Sequence, residues 1–199
     1  LRLIDNDLEN VSRDTFSALP SLQVINLACN TIKVVDKGAF GTNPTLRAIR
    51  LDGNQLTNID GVFTHVSGLV WLNVSDNLLT WFDYSLLPQS LEWLDMHKNQ
   101  VSKLGNYHDV RRELQIKMLD VSFNRLTEIG ETSIPNSVES VFLNDNTIKK
   151  VQANTFLKKV NLSRVVLYAN ELENLDLSAL RLQPVPLDKE LPQFYIGGN

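Results

Sequence analysis

Leu22-Gln-Val-Ile25-Asn-Leu27-Ala-Cys-Asn30-Thr-Ile32 is the stretch that decides the fold. It reads LxxLxLxxNxL, with Ile in place of Leu at two positions. The frame returns as Leu46, Ile49, Leu51, Asn54, Leu56, then as Leu69, Leu72, Val74, Asn77, Leu79. Further copies are Leu91, Leu94, Met96, Asn99, Val101 and Ile116, Leu119, Val121, Asn124, Leu126. Val138, Val141, Leu143, Asn146, Ile148 and Leu162, Val165, Leu167, Asn170, Leu172 complete the set. Partial copies stand at both ends, Leu1-Leu3-Asn6-Leu8 and Leu191-Phe194-Ile196-Asn199. The motif asparagines are 22 to 25 residues apart, except for a last interval of 29. Self-similarity at this period is the mark of a solenoid built from one stacked unit.

In each xLxLx stretch the two aliphatic residues are two apart and share one side of a short strand. Stacked neighbours bury that side as a continuous apolar rod, while the intervening residues line the concave face. The asparagine ends the strand, and its amide is suited to pairing the orphaned backbone groups of its own and the adjacent coil. Nine or ten residues later come Phe16, Phe40, Phe63, Leu87, Ile134, Phe156 and Leu180, an apolar spine expected to fill the convex side. The stretch Gln183-Pro-Val-Pro-Leu187, followed by Leu191-Pro192, predicts an irregular outer segment in the long last interval, because proline offers no ladder donor.

This pattern identifies the chain as a leucine-rich-repeat solenoid. The expected fold is an α/β horseshoe, with one short parallel strand per repeat on the concave face and irregular or short helical convex segments. Residues 1–199 are expected to form one domain of about eight repeats plus partial end copies. Both ends stop inside the motif, so the reading is an uncapped fragment of a longer array.

The ~24-residue period, Asn at the strand end and the Phe spine resemble the extracellular class of these repeats. Leu191-Pro-Gln-Phe-Tyr-Ile-Gly-Gly-Asn199 resembles the last repeat of insect Toll-family receptors, where it leads into a cysteine-rich cap. Leu119-Asp-Val-Ser-Phe-Asn124 and Leu91-Glu-Trp-Leu94 are also similar to Toll repeats. The resemblance implies the ectodomain of a single-pass cell-surface signalling receptor, with the membrane reached only through a segment outside this stretch. It further implies a protein ligand, a cystine-knot cytokine of the Spätzle type or another cell-surface receptor, and signalling by receptor association.

Composition bounds the alternatives. Hydrophobic residues are 43% and charged residues 21%, the balance of a folded chain. The net charge of -4 gives no basic surplus, so nucleic acid is not the expected partner. The single cysteine, Cys29, fits either a secreted fragment or a cytosolic repeat scaffold, which is the alternative reading. No cofactor motif is present. His65, His97 and His108 fall in different coils, outside any metalloprotease or phosphate-loop pattern. Asp95 and Asp120 occupy the same outward column on neighbouring strands, a spacing compatible with a carboxylate pair. An open sheet without a pocket to shift either carboxyl favours an acidic binding spot over an enzyme.

Binding has the stronger support. Trp71, Trp93 and Met118 are consecutive, large and placed where the frame expects exposure. Leu78 and Trp81 add apolar surface just after Asn77. Aromatic anchors with Asp95 and Asp120 as a rim describe a protein-recognition patch. Cross-strand pairing of the two indoles accounts for them equally well. Three glycosylation sequons begin at Asn10, Asn73 and Asn161, about the number chance gives. A sugar on Asn73 would screen the patch.

Overall fold

The computed structural model describes residues 1–41, 43–105, 113–180, 182, 184 and 189–199. Eight three-residue strands form one parallel sheet: β2 Val24–Asn26, β4 Ala48–Arg50, β5 Trp71–Asn73, β6 Trp93–Asp95, β7 Met118–Asp120, β9 Ser140–Phe142, β11 Arg164–Val166 and β12 Gln193–Tyr195. They pair in sequence order, each strand hydrogen-bonded to the one from the next coil. An isolated bridge between Arg2 and Asn26 adds the first partial copy to the edge.

The register is that of the repeat. Trp71 pairs with Trp93, Leu72 with Leu94 and Asn73 with Asp95. Met118, Leu119 and Asp120 continue the same three columns. Ile25, Ile49, Leu72, Leu94, Leu119, Val141 and Val165 have no exposed surface, nor have their partners two residues on: Leu27, Leu51, Val74, Met96, Val121, Leu143 and Leu167. Two-residue alternation sets this burial, and stacking merges it into one core.

The asparagines face inward, as the frame requires. Asn54 Nδ2 donates to the Leu51 carbonyl of its own coil (2.9 Å) and to the Leu27 carbonyl of the preceding one (3.0 Å). Its Oδ1 accepts the backbone N–H of Ile32 at 2.9 Å. The same three contacts recur at Asn77, Asn99, Asn124, Asn146 and Asn170. Each side chain therefore staples two coils where the strand ends and no ladder partner remains.

One regular feature escapes the sequence pattern. The residue before each motif asparagine has positive φ: Asp5, Cys29, Gly53, Asp76, Lys98, Phe123, Asp145, Ala169 and Gly198. This left-handed step turns the chain into the core.

The convex side corrects the expected helical segments. Among the described residues there is no α-helix, only two 3-10 turns, Tyr84–Leu86 and Leu177–Leu180. Elsewhere the outer segments are turns with i to i+3 bonds, such as Ser17 N–H to Asp14 O and Leu19 N–H to Phe16 O. Segments this short form too few bonds to offset helix nucleation, and Pro20, Pro44, Pro88 and Pro135 interrupt them. Two small parallel ladders flank the coils: β1 Asn10–Val11 with β3 Val34–Val35, and β8 Glu128–Ile129 with β10 Lys150–Val151.

The spine is buried at Phe16, Phe40, Phe63, Leu87, Ile134 and Phe156, and only partly at Leu180. Phe16 and Phe40 stack at 5.7 Å between centroids, and Phe40 and Phe63 at 5.9 Å. Tyr84 was not part of the expected spine. It is fully buried, and its hydroxyl donates to the Ser133 carbonyl two coils away at 2.9 Å. Burial pushes its hydroxyl pKa up, so it stays a donor. His108, Gln183, Val185, Pro186 and Leu187 lie outside the described residues.

Candidate functional site

The strand face carries the outward columns in register. Trp71 is half-buried and Trp93 is 45% exposed beside it, with Met118 next in line. The two indoles are not among the ring pairs of the described residues. Trp93 and Met118 open onto a hollow of about 270 Å³, lined also by Lys117, Glu139, Ser140 and Phe142. Lys117 Nζ donates to Glu92 Oε2 at 2.8 Å and so bounds the hollow with a paired rather than a loose charge. Phe142, the central-column neighbour of Asp120, belongs to this surface and was overlooked from sequence. An aromatic at an outward position is the signal that marks it.

Asp95 and Asp120 are Cα partners on β6 and β7. Asp95 Oδ1 accepts from the His97 backbone N–H at 3.1 Å and lies 2.7 Å from His97 Nδ1. Asp120 Oδ1 accepts from the Ser122 N–H at 2.9 Å and from its hydroxyl at 2.6 Å. Burial raises the Asp120 carboxyl above its ordinary range, with a smaller push from Asp95, against the Ser122 hydrogen bonds. This corrects the expectation that the open sheet leaves both carboxyls unshifted. The carboxylate is half covered by its neighbours even without an enclosing pocket. His97, two residues after Asp95 and hence on the same side, joins the pair. The Asp95-x-His97 spacing is legible in the sequence, whereas the approach of Asp120 from the neighbouring coil is not.

The remaining candidates lie apart. Leu78 and Trp81 are 42% and 47% exposed, but both follow the Asn77 turn and leave the strand register. Asn10 and Asn161 are exposed. Asn73 is only 8% exposed, and its Oδ1 accepts the Ser75 N–H at 2.9 Å. A larger hollow of about 490 Å³ lies beside the last coils, lined by Lys159, Asn161, Leu182, Pro184 and Pro192 among others. It contains a sequon and none of the predicted binding residues.

A family model described as leucine rich repeat matches residues 1–56. Toll-like receptor 7 of Drosophila melanogaster is 52% identical over 148 residues, 74% of this chain and 10% of that receptor. The chain thus spans about a tenth of that relative's length. The leucine-rich repeat domain of APL1B superposes with a TM-score of 0.78 at 21% identity, covering 99% of this chain and 56% of the other. The receptor in the TLR13–ssRNA13 complex gives 0.74 at 21% identity, over 93% of this chain and 27% of that one. These solved structures share the fold. The chain is a leucine-rich-repeat domain homologous to the repeat domains of insect and vertebrate Toll-like receptors and of other repeat proteins. Its solenoid is of a kind typical of non-catalytic recognition and scaffold modules.

Proposed function

We propose that this domain is part of the ectodomain of a Toll-like cell-surface receptor, and that its strand face recognises a protein partner. The observation that carries the reading is the 52% identity to a fly Toll-like receptor over three quarters of the chain. Trp93, Met118 and Phe142 serve as apolar anchors around the small hollow. Trp71 extends them along the sheet, and Asp95 and Asp120 form an acidic rim. Buried aromatics bounded by polar groups are the usual centre of a protein interface. A half-buried acidic pair beside them disfavours a polyanion at this patch, which supports a protein partner there. By resemblance it is a Spätzle-type cystine-knot cytokine or another receptor ectodomain, with association of two receptors as the signal. Leu78 and Trp81 then lie on the flank available to such a second receptor.

The test is surface binding of a Spätzle-type cytokine to the receptor ectodomain containing this stretch. Trp93→Ala and Met118→Ala are expected to weaken binding at least tenfold without moving the melting temperature. Unchanged binding in both variants removes the strand face from the reading. The exposed free Cys29 also suits a cytosolic scaffold. Retention of the full-length chain in the cytosol would favour that alternative.

A further inference from the structure

Asp95, His97 and Asp120 are brought together by register and by the two-residue period of β6, not by proximity in sequence alone. One potential ligand atom from each lies within 4.8 Å of the other two, and all three side chains are half-buried. The described hydrogen bonds use Oδ1 of both aspartates, on Ser122 and on His97. They hold the carboxylates in place through Oδ1, and Oδ2 of each takes part in none of these bonds. His97 Nδ1 and Asp95 Oδ1 are hydrogen-bonded at 2.7 Å, so both point at one spot, and an incoming cation takes the place of the bridging proton between them. The flanking central-column residues, Asn73 and Phe142, are neutral. Further along, Arg50 is held by Asp52 at 2.7 Å and does not compete for the site.

We propose that Asp95, His97 and Asp120 bind one divalent transition cation of the zinc class on the strand face. Two carboxylates balance its charge. An imidazole beside them selects zinc-like ions over calcium and magnesium, which prefer all-oxygen shells. Zinc bonds of about 2.0–2.2 Å put neighbouring tetrahedral ligands roughly 3.4 Å apart. The widest pair of the triad must therefore close by up to about 1.4 Å and the Asp95–His97 pair, now 2.7 Å apart, must open slightly, within the reach of side-chain rotation at partly exposed positions. Three protein ligands leave a fourth position open at the surface. A donor atom from a partner docked beside Trp93 and Met118 can fill it. The cation site itself does not depend on the receptor reading.

Zinc chloride titrated calorimetrically into chelator-treated protein near neutral pH tests the site. One Zn²⁺ per chain is expected, at least tenfold weaker in His97→Ala and Asp120→Asn and unchanged in His65→Ala, since His65 is exposed in a different coil. Circular dichroism checks that the variants are folded. Should either variant fail to fold, the imidazole resonances of His97 in the wild-type protein decide instead and are expected to shift on zinc addition. Zinc uptake unaffected by both variants, or an unmoved His97 ring, overturns the proposal.

Discussion

Ala169 sits at φ 52°, in the left-handed region that an alanine Cβ disfavours by roughly 1–2 kcal/mol. Eight other coils place a residue in the same step before the motif asparagine, and only Gly53 and Gly198 relieve the strain. Cys29 and Phe123 occupy it too, so the position is set by the turn and not by the residue type. Ala169 keeps its backbone bond to the Gly197 carbonyl at 3.1 Å. Ala169→Gly is therefore expected to stabilise the fold by about 0.5–1 kcal/mol, after subtracting the greater entropy of an unfolded glycine. A urea midpoint that falls instead of rising would show that the turn is not strained. This conformation was invisible in the sequence, because residues as unlike as Asp, Lys, Phe and Gly share the position.

Each strand is three residues long, and its middle residue decides whether the coil stacks. Leu72 has no exposed surface, while its neighbour Trp71 keeps part of its indole in solvent. Leu72→Ala is expected to cost about 2–5 kcal/mol through the cavity it leaves. Trp71→Ala should cost about 1 kcal/mol or less, because its surroundings are partly water. Chemical denaturation of the two variants checks the contrast, and equal losses would make Trp71 part of the framework. At this scale the sequence was most readable. Period-two burial and the asparagine frame follow from strand geometry and need no knowledge of the neighbouring coil. The outer segments were less readable because they lack such a period. There, irregular turns stand in place of the short helical segments also expected, and Tyr84 bridges to Ser133 across an intervening coil.

Across the whole molecule, stacking sorts the three sequons by burial. Asn10 and Asn161 stand on exposed flanks, whereas Asn73 is 8% exposed in the middle of the sheet with its carbonyl oxygen engaged. Expressed through a secretory pathway, the protein is expected to carry sugar at Asn10 and Asn161 and none at Asn73. Glycopeptide mapping after enzymatic deglycosylation reads this directly, and an occupied Asn73 would put a glycan across the proposed recognition surface. An unoccupied Asn73 leaves Trp71, Trp93 and Met118 open to a partner. The strand face then offers a continuous rail of aligned side chains rather than an enclosed pocket.

The repeat frame by itself determined the solenoid, its buried columns, its inward asparagines and the placement of Trp71, Trp93, Met118, Asp95 and Asp120 on one face. These depend on periodicity, which a linear chain carries in full. Tertiary structure alone decided that Phe142 shares a hollow with Trp93 and Met118, that Asp120 is half covered, and that His97 closes on the two aspartates. Such relations depend on how far neighbouring coils approach and which rotamers they permit. Those distances are set by packing between repeats, and no single repeat records them.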